Sequence, residues 1–264
     1  MDRSLFRGRY LVGHLVVLTL AGLFALAGKW QLDRLHEVKT KNAVVRTRMG
    51  SAAVPLEQVL QPNAGDPGES IYRRVVVSGR YDTSRQVLIE FRSYSGDPGD
   101  YLMTPVVTRN GSAILVNRGW IPLANTPVSE ARGLAPPRGD VRVTGILFPS
   151  EKGGPAPAPA GTGIVQTPRI DLFRLAPGFG FPLYPAYVQL TAQSPRQSGD
   201  YPIALPLPQL DNGPHLSYAI QWFSFTAIGL IGWPLLLRRS RRDREPVRTP
   251  DRNPERGPAP EWLP

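Results

Sequence analysis

Cysteine is absent from this chain, and with it go disulfides, thiolate zinc or copper sites, iron–sulfur clusters and covalent c-type haem attachment. Methionine is nearly so: Met1, Met49 and Met103 are too scattered for a thioether copper site. Histidine is equally scarce, and His14, His36 and His215 are the whole supply of imidazole ligands or bases. Also missing are the phosphate-cradling G-x-x-x-x-G-K-[ST], the G-x-S-x-G of serine hydrolases, the H-E-x-x-H zinc motif and a dinucleotide fingerprint. The short "GFGF" after Pro177 reads as a turn. An anchored hydrolase built on carboxylates such as Asp82 and Glu90 lacks the histidine and cysteine systems that activate nucleophiles. A hydrolase is therefore the disfavoured reading, and the expectation is that the chain is not an enzyme.

Two long apolar runs are present. Leu216–Leu237 gives about 33 Å of helix and Tyr10–Gly28 about 28 Å, both close to the thickness of a bilayer's hydrocarbon core. A mean hydropathy of −0.20 is too polar for a bundle of membrane helices, and it fits two anchors around a water-facing domain. The expected organisation is an N-terminus at 1–9, a first span at 10–28, a central domain at 29–214, a second span at 215–237 and a tail at 238–264. That tail is charged and proline-rich, which predicts disorder from Asp243 onward.

A formal charge of +10 invites a nucleic-acid reading, but much of the surplus sits at the ends, in "MDRSLFRGR" and "RRSRRDREPVR". Such arginines belong beside anionic lipid on the cytoplasmic face, so the expected partner is a lipid bilayer and no nucleic acid. Arg238, Arg239, Arg241, Arg242 and Arg244 follow the second span, while no Lys or Arg lies between Arg196 and Arg238. Both termini are then cytoplasmic and the central domain extracytoplasmic, in a bacterial plasma membrane. Trp30, Tyr218, Trp222 and Trp233 fall at interface depths in this frame. The small-x-small "ALA" at Ala25–Ala27 keeps open cleavage after Ala27, although the apolar run is longer than a signal peptide requires.

Beyond the first span, Leu32, Leu35 and Val38 keep a modest helical spacing, so the helix should continue into water. From Ile71 the pattern changes to strand: "YRRVVVSGRYD", "RQVLIEFRSY", "YLMTPVVTRNGSAILVNRGW", "VRVTGILF" and, later, "AYVQLTAQ". Asn110-Gly111 between two apolar runs signals a hairpin, since both residue types tolerate positive φ. The fold class is thus a membrane protein of α+β type: two transmembrane helices flanking an extracytoplasmic domain built mainly on an antiparallel β-sheet. A Pro/Ala-rich stretch at 149–163 cannot form a core and reads as an exposed loop.

His14 and His36 read as residues of a membrane interface and of a solvated helix face. His215 opens the second span, with Tyr218 and Trp222 at i+3 and i+7 and Phe225 roughly extending the stripe. Two readings stand: an aromatic belt at the membrane surface, or an imidazole and flat rings that grip a planar macrocycle. Gln221 and Ser217 add a polar line suited to hydrogen bonding with the first span. Arg73, Arg74, Arg80 and Arg92 fall in successive expected strands and Arg118 at a strand end in "NRGW". Each is either solvated surface charge or a bidentate fork for carboxylates such as porphyrin propionates.

"WQLDR" at 30–34, "RRVVVSGRYD" at 73–82, "YLMTPVV" at 101–107, "ILVNRGWIP" at 114–122 and "HLSYAIQWF" at 215–223 occur in this order. Together they resemble the surfeit-locus family of cytochrome c oxidase assembly factors, in its bacterial form. "PAPAPAGTG" and the arginine-rich tail depart from that pattern. The resemblance implies a non-enzymatic factor that aids delivery of haem a to oxidase subunit I, with haem a synthase as a further partner. It implies that His215 binds haem a through its iron; Tyr218 and Trp222, by their spacing, and Arg118, by its charge, are the weaker candidates for contact. The alternative is a scaffold that stabilises an oxidase assembly intermediate without touching the cofactor.

Overall fold

A computed structural model describes residues 8–62, 64–123, 134–155 and 164–242. Most of the N-terminus expected at 1–9, part of the Pro/Ala-rich loop (156–163) and most of the tail (243–264) lie outside the described residues. The chain divides into two compact units, Met1–Lys39 with Asn212–Pro264, and Thr40–Asp211.

The first unit is a pair of helices, drawn from α1 (Gly8–Gly50) and α3 (His215–Arg242). Both are long and apolar enough to cross a membrane. The continuation of α1 past Gly28 agrees with the helical spacing there, and Lys29–Asp33 and Arg34–Glu37 ion pairs one turn apart support it. Along α3 the less exposed residues include His215, Ala219, Trp222, Thr226, Gly229 and Trp233; along α1 they include His14, Val17, Ala21, Phe24, Gly28 and Gln31. Steps of three and four make each set a heptad seam. Contacts join the seams in antiparallel order. Trp233 donates to His14 Nδ1 at 2.8 Å, Thr226 donates to the Ala21 carbonyl at 3.4 Å, and Phe24 stacks on Trp222 with centroids 5.5 Å apart. Small residues make the approach possible: a Cβ on Gly13 would lie 2.6 Å from the Trp233 ring. The opposite faces carry exposed Leu, Val and Ile along both helices.

The second unit is built on β1 (Val54–Pro55), β2 (Arg74–Tyr81), β3 (Val87–Tyr94), β4 (Asp97–Thr108), β5 (Ala113–Pro122), β6 (Asp140–Pro149), β7 (Val165–Thr167) and β8 (Leu183–Ser194). One short helix, α2 (Leu172–Leu175), precedes β8. The strands form a single sheet ordered β1-β2-β6-β8-β5-β4-β3-β7. The sheet is mixed: five of its eight pairings are antiparallel, in line with a mainly antiparallel sheet, while the β1–β2, β3–β7 and central β5–β8 pairs are parallel. Side-chain alternation does not register strand direction, so this feature had no local signal.

A further pairing of Gly79–Tyr81 with Val106–Thr108 brings β2 against β4 and closes β2, β6, β8, β5 and β4 into a ring. Gly79 sits on that seam, where a Cβ would come within 2.2 Å of the Val107 carbonyl oxygen. Inside the ring lie Val75, Val77, Val106, Ile114, Val116, Val143, Val188 and their neighbours, fully buried. At about 1.5–3 kcal/mol for each large apolar side chain taken from water, this interior is the main source of the domain's stability. A second cluster, with Val87, Ile89, Met103 and Leu115, is covered by α2 and Phe179. With apolar cover on both faces, β5 is buried at nine consecutive positions instead of alternating.

The Asn110-Gly111 hairpin is present but wider than a two-residue turn. Residues 109–112 form the loop, and of the central pair only Gly111 has positive φ, at 81°. Asn110 Oδ1 instead accepts from the Ser112 amide at 3.0 Å, closing the loop with its side chain.

Candidate functional site

His215 is the first residue of α3, placed there because Gly213-Pro214 ends the preceding coil and the Pro214 carbonyl accepts from the Tyr218 amide at 3.1 Å. The imidazole is part-exposed. Its Nδ1 lies 2.9 Å from Gln31 Oε1 on α1, a contact spanning 184 positions of sequence. An amide oxygen only accepts, so the contact is a hydrogen bond when Nδ1 carries the proton, and in the neutral ring Nε2 then keeps its lone pair. Among the described residues Nε2 makes no hydrogen bond.

The structure divides the aromatic stripe. Trp222 lies on the helix seam with His215, held by the stack on Phe24 and an edge contact to Phe225 at 6.0 Å. Phe225 also reaches Phe24, at 5.7 Å. Tyr218 stands off the seam and is 47% exposed. The reason is the seven-residue repeat: positions i and i+7 share the seam, whereas i+3 falls on its flank when Ala219 occupies the contact. Gln221 is exposed, and Ser217 donates to the Pro214 carbonyl at 2.7 Å, so this polar line does not bond α1. Gln31 meets α3 instead. It lay unnoticed within "WQLDR", where the only signal was a polar residue continuing the heptad of Ala21, Phe24 and Gly28.

The expected arginines scatter. Arg73 lies outside the strands, and Arg74 and Arg80 share β2. Arg74 donates to the Met49 carbonyl, Arg80 pairs with Asp140 at 2.7 Å, and Arg92 pairs with Glu151 at 3.1 Å while covering the Tyr101 ring. Arg118 is different. It lies within β5, not at its end, and is 1% exposed, which removes the surface-charge reading for this residue. The ladder to β4 pairs Asn117 with Met103 and Gly119 with Leu102, leaving Arg118 as the extra residue of a bulge. One Nη donates to the Leu134 carbonyl at 2.8 Å and the other to Gln197 Oε1, and the guanidinium lies 5.6 Å from the Tyr81 ring centroid. Nε has no partner, and no carboxylate among the described residues pairs with it. Burial draws its pKa down to about 10, with the charge of Tyr81 opposing.

Past the bulge, β5 exchanges its neighbour. Trp120 and Ile203 trade backbone hydrogen bonds at 2.8 Å in each direction, and Gln189 donates to the Pro206 carbonyl at 2.9 Å. A strap of residues 201–206 thus runs along β5 where Gly119 adopts φ 136°. "NRGW" is in this respect a docking sequence for the chain's own strap.

The SURF1 family model matches residues 17–227. An uncharacterized SURF1-like protein of Mycobacterium tuberculosis is 30% identical over 260 residues, covering 94% of this chain and 92% of that protein. A SURF1-like protein of Monosiga brevicollis is 29% identical over 244 residues, 84% of this chain and 86% of its own length. The cytochrome oxidase assembly protein SHY1 of Saccharomyces cerevisiae is 28% identical over 95 residues, 36% of this chain and 24% of that protein.

Proposed function

The chain belongs to the SURF1 family, and from that premise we propose that it is a non-enzymatic assembly factor for cytochrome c oxidase whose His215 holds haem a for delivery to subunit I. A part in oxidase assembly has the support of the family match and of the likeness to SHY1. The haem step is carried by one observation: an imidazole at the head of α3 with Nδ1 engaged and Nε2 free of hydrogen bonds among the described residues. A neutral imidazole in that state is an iron ligand. Haem a is cargo in this reading, and the chain performs no chemistry on it. Tyr218 is the ring available beside His215, since Trp222 is engaged by Phe24. Arg118 is left out of the haem contacts because its guanidinium is sealed inside the sheet domain.

The exposed apolar faces of α1 and α3 fit two crossings of a bacterial plasma membrane. Arg238 and Arg239 after the second span fit a cytoplasmic C-terminus, with the sheet domain extracytoplasmic. There it would dock subunit I and receive haem from haem a synthase. A cofactor-free scaffold is the competing reading, favoured by the use of Trp222 and Phe225 in packing against Phe24. The two separate in one experiment: protein purified from cells that make haem a, wild type and His215→Ala, is examined by absorption spectroscopy. The carrier reading expects a haem a spectrum that the substitution abolishes. Haem-free wild type that still retains subunit I would overturn it in favour of the scaffold.

A further inference from the structure

The hydrogen bond across the top of the helix pair carries a consequence for ligation. A histidine binds metal through one ring nitrogen, and the partner of the other nitrogen decides which one is free. Gln31 Oε1 faces His215 Nδ1 at 2.9 Å, a hydrogen bond that forms only with the proton on Nδ1. With the opposite amide orientation, the Gln31 NH2 would donate to Nδ1 and drive the proton onto Nε2, closing that nitrogen to iron. The choice between amide oxygen and amide nitrogen at one contact therefore decides whether Nε2 of His215 can act as a ligand.

The free edge has a neighbour of its own. Gly213 holds φ 68°, a left-handed conformation that suits glycine, and a Cβ there would lie 3.3 Å from both Nε2 and Cδ2 of His215. Any side chain at 213 would press on the nitrogen that Gln31 leaves open. The two residues act on opposite edges of one ring: α1 holds Nδ1, and the bare turn before α3 keeps Nε2 clear.

We infer that Gln31 is the positioning residue for His215, holding the imidazole as the Nδ1–H tautomer with Nε2 directed at the haem iron. This rests on the carrier reading above and adds to it a residue that never touches the cargo. Gln31 sits on the heptad seam of α1, so it also ties tautomer to helix pairing: the ring is presented only while the two helices are in register.

The test uses the full chain in detergent micelles and two readouts. The first needs no haem: nitrogen-15 NMR of histidine-labelled protein, with the His215 signals identified by their loss in His215→Ala. Nδ1 should be protonated in wild type and in Gln31→Glu, whose carboxylate also accepts. Gln31→Leu should show the two tautomers in exchange. The second readout is binding of ferric protoporphyrin by absorption. Gln31→Leu should weaken binding by about 10–100-fold, the usual consequence of losing the partner of a ligating histidine, and Gln31→Glu should restore it. A protonated Nε2 in wild type overturns the inference, as does Gln31→Leu binding haem like wild type. If wild type binds no haem while Nδ1 is protonated, it is the carrier reading that fails and takes the ligation role with it, leaving only a structural bond.

Discussion

Replacing Gly119 with alanine should detach the 201–206 strap from β5 without unfolding the ring of strands. Two separate costs follow from the structure. Gly119 has φ 136°, and an alanine held there carries strain of about 1–3 kcal/mol. Its Cβ would also come within 2.0 Å of the Ile203 carbonyl oxygen, a backbone atom that cannot yield as a side-chain tip can. The strap must move, and the reciprocal Trp120–Ile203 hydrogen bonds go with it, at about 0.5–1.5 kcal/mol each. The sum is about 4 kcal/mol, or a fall in melting temperature of roughly 8–16 °C for a domain of this size. Gly111→Ala is the control, since Gly111 has φ 81° but nothing within 4 Å of the added carbon, and it should lose only about 1–2 kcal/mol. The assay is thermal unfolding of the full chain in detergent, paired with hydrogen exchange at the Trp120 and Ile203 amides. Both amides should exchange rapidly in Gly119→Ala while those of β6 stay protected. Equal melting temperatures for the two variants, with the Trp120 amide still protected, would refute the reasoning.

Arg118→Met keeps the packed stem but leaves the Leu134 carbonyl and Gln197 Oε1 without a donor, and it should destabilise the domain by about 2 kcal/mol. Denaturant unfolding checks this; a variant more stable than wild type would mean that desolvation of the unpaired cation outweighs its hydrogen bonds. At alkaline pH, Tyr81 and Tyr187 should make the domain lose stability. Burial raises both hydroxyls above their ordinary range, so the folded state keeps protons that the unfolded state releases above about pH 10, and stability falls as pH rises from there. Arg118, drawn down by burial, opposes this slope. Tyr187→Phe should flatten the decline, as read by melting temperature between pH 9 and 11.

The regularities that persist along a stretch of chain were legible in the sequence. The two apolar runs became long apolar helices, and the helical spacing after Gly28 became the continuation of α1. The expected strands appear at β2–β6 and β8, but the short β1 and β7 had too few residues for a periodic signal. Arg118 was misplaced because a bulge interrupts alternation, and its burial depends on Tyr81, Leu134 and Gln197 brought from other parts of the chain. Tyr218 was grouped with His215 because helical spacing alone does not say which flank meets a second helix.

By itself, then, the sequence determined where the chain is apolar enough to span a bilayer and where it alternates as a sheet, since hydropathy and side-chain period belong to neighbouring residues. Only the tertiary structure decided that β2 meets β4 to close the ring, that the strap crosses at Gly119, and that Gln31 faces His215 across 184 positions. Each of these joins residues whose separation along the chain leaves no periodic trace. Whether they meet is fixed by how many strands and helix turns pack between them.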